Sequence, residues 1–103
     1  MNTTAFCRVR VDTSPFVGGG RYGTVRATRA QLTETFGQPL AVDAGGKVTY
    51  GWVIDTPRGQ AAVRDYWWNG ADEHSIAAPS RIIGRWAVRW LTHNGFTAHR
   101  GTP

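Results

Sequence analysis

From residue 47 to residue 55 the even positions are Val48, Tyr50, Trp52 and Ile54, a strict period of two that belongs to a strand and not to a helix. Branched and aromatic side chains then project to one side of the chain, and that side needs a core. Thr56-Pro57-Arg58-Gly59 follows at once, with Pro where a turn needs φ near −65° and Gly where it needs a left-handed residue. The combination predicts a type I turn closed by a G1 bulge, and hence a hairpin joining residues 47–55 to residues 60–68. In that register Thr56 faces Gln60, Ile54 faces Ala62, Trp52 faces Arg64, Tyr50 faces Tyr66 and Val48 faces Trp68. A slip of one residue would set Trp52 against Val63 instead, moving every side chain of the second strand to the other face.

Two helices flank this hairpin. Thr28 stands three residues before Gln31 in capping-box spacing, Leu32 and Phe36 share one face, and Gly37 and Pro39 stop the run. A short helix is expected at about residues 29–36. A longer one is expected at about residues 80–93, beginning near Pro79 or Ser80 and ending at Asn94-Gly95. At 100° per residue Ile82, Ile83, Trp86, Ala87, Trp90 and Leu91 fill one broad apolar arc. Gly84, inside that helix, costs ~1 kcal/mol against alanine. Residues 6–11 alternate imperfectly, residues 22–27 suit a short strand, residues 69–78 read as a polar loop, and residues 96–103 read as a flexible tail. The expected fold class is α+β: one domain over residues 1–103, ordered over about 22–95, with a small antiparallel sheet packed by the long helix.

Composition narrows the function. Of the 103 residues 41% are hydrophobic, too many for a disordered chain, yet no apolar run approaches the ~20 residues of a membrane span. A single cysteine excludes an internal disulfide and a four-cysteine zinc site. Met1-Asn2-Thr3-Thr4 shows neither the basic nor the apolar stretch of an export signal, so a cytoplasmic location is expected. Twelve Lys and Arg face seven Asp and Glu, giving +5, and eleven of the twelve are arginine. Arginine forms planar, bidentate contacts with phosphate and stacks on flat rings. Five tryptophans are more than a small core readily hides. Together they point to an anionic, partly aromatic partner.

Residues 18–25, Gly-Gly-Gly-Arg-Tyr-Gly-Thr-Val, fit the G-x-G-x-x-G-x-V phosphate loop, but no kinase fits in this length and no long helix follows. A flexible loop accounts for it better, with Arg21 available to a phosphate. Asp72-Glu73-His74 cannot converge on one metal ion and reads as solvated loop. Cys7 has basic neighbours, Arg8 and Arg10, that lower a thiol pKa, but a lone cysteine of this kind is usually a small buried hydrophobe. Ser75 and Ser80 lack a nucleophile elbow, and Asp55 and Asp65 fall at different levels of the hairpin. No catalytic residue, metal site or cofactor is expected. In Tyr66-Trp67-Trp68, side chains alternate across the strand, making the indoles either a base-stacking platform or an interface between copies. Arg81, Arg85 and Arg89 form a ridge at i, i+4, i+8, with no acidic residue among them and with Ile82 and Trp86 beside them. A wet helix face is the plain account; an anion site is the functional one.

Residues 32–39, Leu-Thr-Glu-Thr-Phe-Gly-Gln-Pro, residues 46–54, Gly-Lys-Val-Thr-Tyr-Gly-Trp-Val-Ile, then Gly59 and residues 63–67, Val-Arg-Asp-Tyr-Trp, resemble a group of small bacteriophage-encoded proteins. That group carries L-x-x-x-F-G-x-P, G-K-V-T-x-x-W-x-I and Y-D-Y/W in this order. The likeness covers about residues 28–76; Val63-Arg64 replaces an aliphatic-aromatic pair, and the basic last helix lies outside it. The resemblance implies a phage origin and an α+β fold and names no ligand.

These readings converge on a non-enzymatic phage accessory protein of the host cytoplasm. It would counter host defence by sequestering an anionic nucleotide signal or by inhibiting a defence protein. The expected ligand-binding residues are Arg81, Arg85, Arg89, Trp67, Trp68, Arg64 and Arg21. A homodimer is expected from the exposed sheet edges and surplus aromatic surface. The alternatives are a nucleic-acid-binding regulator and a structural or assembly protein with an aromatic interface.

Overall fold

A computed structural model of the chain describes residues 7–10, 20–41, 50–65 and 70–101. In chain order the elements are β1 (Arg8–Arg10), β2 (Arg21–Arg26), α1 (Arg29–Phe36), β3 (Leu40–Ala41), β4 (Tyr50–Thr56), β5 (Gly59–Arg64), β6 (Glu73–Ala77), α2 (Arg81–His93) and β7 (Thr97–Arg100). The strands form one antiparallel sheet in the order β1-β4-β5-β6-β2-β7, and β3 pairs with the same β4 as β1 does. Val9 lies opposite Ile54, whereas Leu40 lies opposite Gly51, so β1 and β3 share the outer edge of β4 end to end. The arrangement is α+β.

The central hairpin forms, in the slipped register. Thr56 pairs with Gly59, Ile54 with Ala61, Trp52 with Val63 and Gly51 with Arg64. The expected pairing of Trp52 with Arg64 does not occur. Gly59 adopts φ of +145°, open in practice only to glycine, and enters the ladder itself, so the loop is Pro57-Arg58 without a bulge. The Thr56 hydroxyl holds the turn, donating to the Gly59 carbonyl at 2.7 Å and accepting from the Arg58 amide at 3.2 Å. The outer parts of the expected hairpin, residues 47–49 and 66–68, lie outside the described residues.

Two segments read as irregular are strands. Residues 73–77, expected within a polar loop, form β6, which sits between β5 and β2. His74 and Ser75 made that segment look wet, yet both are buried. Residues 97–100, expected in a flexible tail, form β7 along β2, with Ala98 opposite Val25. Gly23 makes this pairing possible: a Cβ there would lie 2.1 Å from the His99 carbonyl oxygen.

The helices cover one face of the sheet. Trp52, Ile54, Ala61, Val63, Ile76 and Val25 meet Leu32 from α1 and Ile83, Ala87, Trp90 and Leu91 from α2 in one core. In α1, Thr28 accepts from the Gln31 amide at 3.1 Å while Gln31 Oε1 accepts from the Thr28 amide at 2.9 Å, the reciprocal cap expected from the spacing. Gly37, with φ of +90°, ends the helix and presents its carbonyl to the Trp52 indole N–H at 2.9 Å. Phe36 stacks on Trp90 with ring centroids 4.9 Å apart, locking α1 to α2. The apolar arc of α2 is narrower than expected: Ile82 is 52% exposed and Trp86 half-buried. The opposite face of the sheet is also withdrawn from solvent, for Val53, Ala62, Ser75 and Ala77 are fully buried there and Thr24 and Arg64 nearly so.

Candidate functional site

The face of α2 turned from the core is where the expected cationic residues gather. Ser80 caps the helix by accepting from the Ile83 amide at 3.3 Å, and Asn94 with Gly95 (φ of +92°) closes it. At 100° per residue Ile83, Gly84, Ala87, Trp90 and Leu91 turn inward, leaving Arg81, Arg85, Arg89, Thr92 and His93 to solvent. Trp86 and Val88 lie half-buried on the two flanks of this exposed arc. No acidic residue belongs to the helix, so its arginines repel one another along the ridge.

Arg85 and Arg89 stand between two surface hollows and line both. The larger, of about 710 Å³, is bounded by Tyr22, Arg85, Val88, Arg89, Thr92 and His93. The smaller, of about 180 Å³, is bounded by Ile82, Arg85, Trp86 and Arg89. Each hollow has an aromatic wall, Tyr22 on one flank and Trp86 on the other. The Arg89 guanidinium lies 6.0 Å from the Trp86 ring centre, at the outer reach of a cation–π contact. Arg81 is exposed at the start of the helix and borders neither hollow.

Tyr22 owes its position to Gly84. A Cβ on Gly84 would fall 2.4 Å from Cγ and Cδ1 of the Tyr22 ring and 2.6 Å from Cδ2, so the bare helix backbone is the seat of that ring. Tyr22 and His93 were not among the expected binding residues. A glycine inside an otherwise apolar helical arc is the trace that Tyr22's seat leaves in the sequence, and it reads as a helix penalty until the ring is seen against it.

Two of the other expected residues, Arg64 and Arg21, are not on this face. The one-residue slip of the hairpin turns Arg64 away from Trp52 and buries it, 2% exposed, on the side of the sheet opposite the helices. Arg64, Ser75 and Thr24 occupy one cross-strand row there. Arg21 donates to the Thr24 hydroxyl at 3.1 Å. Arg21 and Arg64 are thus separated from Arg85 and Arg89 by the thickness of the sheet. Trp67 and Trp68 lie outside the described residues.

A second polar group sits under α1. His74 is buried, with Nδ1 2.9 Å from the Ala27 carbonyl oxygen and Nε2 2.6 Å from the Tyr50 hydroxyl. A carbonyl only accepts, so Nδ1 carries the proton and Nε2 of the neutral ring accepts from Tyr50. Burial lowers the His74 pKa; the bond to Ala27 and the Asp65 carboxylate oppose that, and the Arg29 cation adds to it. Burial and Asp65 raise the Tyr50 pKa against the pull of Arg29. Arg29 lies 4.5 Å above the Tyr50 ring, and Asp65 accepts from the Tyr50 amide at 2.9 Å. These bonds tie α1 to the strands beneath it. Cys7 is buried in the core, where desolvation pushes its thiol pKa up, against the lowering expected from Arg8 and Arg10.

Among the described residues no three His, Cys, Asp or Glu side chains gather to hold a metal ion. No helix among them is long and apolar enough to cross a membrane. The chain matches no family of known proteins, no curated protein and no solved structure.

Proposed function

We propose that this protein is a non-enzymatic accessory protein of a bacteriophage that binds an anionic nucleotide on the exposed face of α2 and so withholds a defence signal in the host cytoplasm. The observation that carries the binding role is that Arg85 and Arg89 line two adjoining hollows, each with an aromatic wall. A phosphate needs fixed, forked donors of positive charge, which two guanidinium groups one helical turn apart supply. A base needs a flat apolar surface, which Trp86 and Tyr22 supply. Arg81 adds long-range charge. The phage setting rests on the resemblance of residues 28–76 to small phage proteins, and the defence role on the small size of the chain and a sequence that offers no catalytic constellation.

The test is a thermal-shift and calorimetric panel of ribonucleoside mono-, di- and triphosphates on the whole protein. A ligand that binds only the folded state raises its melting temperature by mass action. A hydrogen bond to a charged group contributes ~1.5–3 kcal/mol, so Arg85→Ala should weaken binding about tenfold or more. Arg58→Ala, at the exposed hairpin tip, should leave it unchanged. Full binding by an Arg85→Ala, Arg89→Ala double variant would refute the site. Binding that instead strengthens with strand length and falls steeply with salt would make the protein a nucleic-acid binder.

A further inference from the structure

The placement of the two hollows says more than their charge. Ile82 and Trp86 lie on one flank of the Arg85–Arg89 row, and Val88 and Thr92 lie on the other, as their spacing at 100° per residue requires. A mononucleotide laid on this surface would fill one hollow and leave the other empty. We infer that the ligand class is a dinucleotide, with two bases joined through phosphate: one base lies in the hollow beside Tyr22, the other against Trp86, and the linking phosphate crosses the ridge between Arg85 and Arg89. The inference rests on the anion-site reading above and deepens it.

Three features of the surface support two rings and one central anion. The same two arginines border both hollows, so a phosphate held by them is adjacent to both. The hollows differ about fourfold in volume, 710 Å³ against 180 Å³: the larger takes a base with its sugar, the smaller only a ring laid flat. Gly84 contributes by giving the Tyr22 ring its seat against the helix.

The experiment is calorimetry with three probes of one base: adenosine 5′-monophosphate, the 5′-phosphorylated adenine dinucleotide, and a longer adenine single strand. The dinucleotide should bind about tenfold or more tighter than the monophosphate, the contribution of one further stacked base. Trp86→Leu should erase that gain, so that the variant binds the dinucleotide no tighter than it binds the monophosphate. Because Trp86 is half-buried, Ile82→Glu is the second variant. Ile82 is 52% exposed, so the change leaves the core intact and sets a negative charge in the smaller hollow; it too should erase the gain. Equal affinity for monophosphate and dinucleotide would overturn the two-base inference while leaving the anion site standing. Affinity that keeps rising into the longer strand would overturn it in favour of nucleic acid. No binding of any probe, or binding indifferent to Arg85→Ala, would overturn the anion site itself.

Discussion

Gly84→Ala is the substitution on which helix propensity and tertiary packing disagree about the sign. Propensity favours it: alanine in a helix interior is worth ~1 kcal/mol over glycine. Packing opposes it, because the new methyl would lie 2.4 Å from Cγ and Cδ1 of Tyr22. Those atoms are the root of the ring, so the clash cannot be relieved by turning a side-chain tip. The ring has to swing about its Cα–Cβ bond, and Tyr22 sits on β2, held between β6 and β7. Overpacking of this kind costs ~1–3 kcal/mol, and a contact with three ring atoms belongs in the upper half of that range. The net expectation is a loss of about 1–2 kcal/mol, at about 4–8 °C in Tm per kcal/mol for a chain of this size. The assay is urea denaturation of the four members of a cycle: wild type, Gly84→Ala, Tyr22→Ala and the double variant. With the ring removed, the alanine should recover its propensity gain, so the effect of Gly84→Ala reverses sign in the Tyr22→Ala background. Stabilisation of the wild type by Gly84→Ala, or the same sign in both backgrounds, would refute the reasoning.

Three further outcomes are expected. The folded pKa of His74 lies below its unfolded value near 6.5, so the unfolded chain takes up its proton first. The stabilisation is complete above pH 6.5 and is lost as pH falls from there toward the folded value; denaturation midpoints between pH 7.5 and 5.5 should show this, and His74→Gln should flatten the slope. Gly23→Ala would set a methyl against the His99 carbonyl and should release β7, read as loss of hydrogen-exchange protection at residues 97–100 while β4 and β5 stay protected. Thr28→Ala removes the hydroxyl that caps α1 and should cost ~0.5–2 kcal/mol by thermal denaturation, with Thr28→Ser close to wild type.

Local rules decided much of this protein. The capping box at Thr28 and Gln31, the Gly37 stop, the Ser80 cap and the period-two run through Tyr50, Trp52 and Ile54 each rest on residues a few positions apart, and each is legible as written. The ridge of Arg85 and Arg89 is legible for the same reason, since helical spacing alone sets two side chains one turn apart on one face. Long-range contact decided the rest. Residues 73–77 carry no strand pattern because His74 and Ser75 are polar, and the hydrogen bonds that satisfy the buried His74 come from Ala27 and Tyr50, distant in sequence. The hairpin register turned on the backbone angle of one glycine, and that shift of one residue carried Arg64 through the sheet to the face away from the site. Gly84 reads as a defect along the helix and as a seat once β2 brings Tyr22 against it. Period, caps and turns are properties of a chain segment; which ring fills which gap is a property of segments that meet only after the sheet has formed.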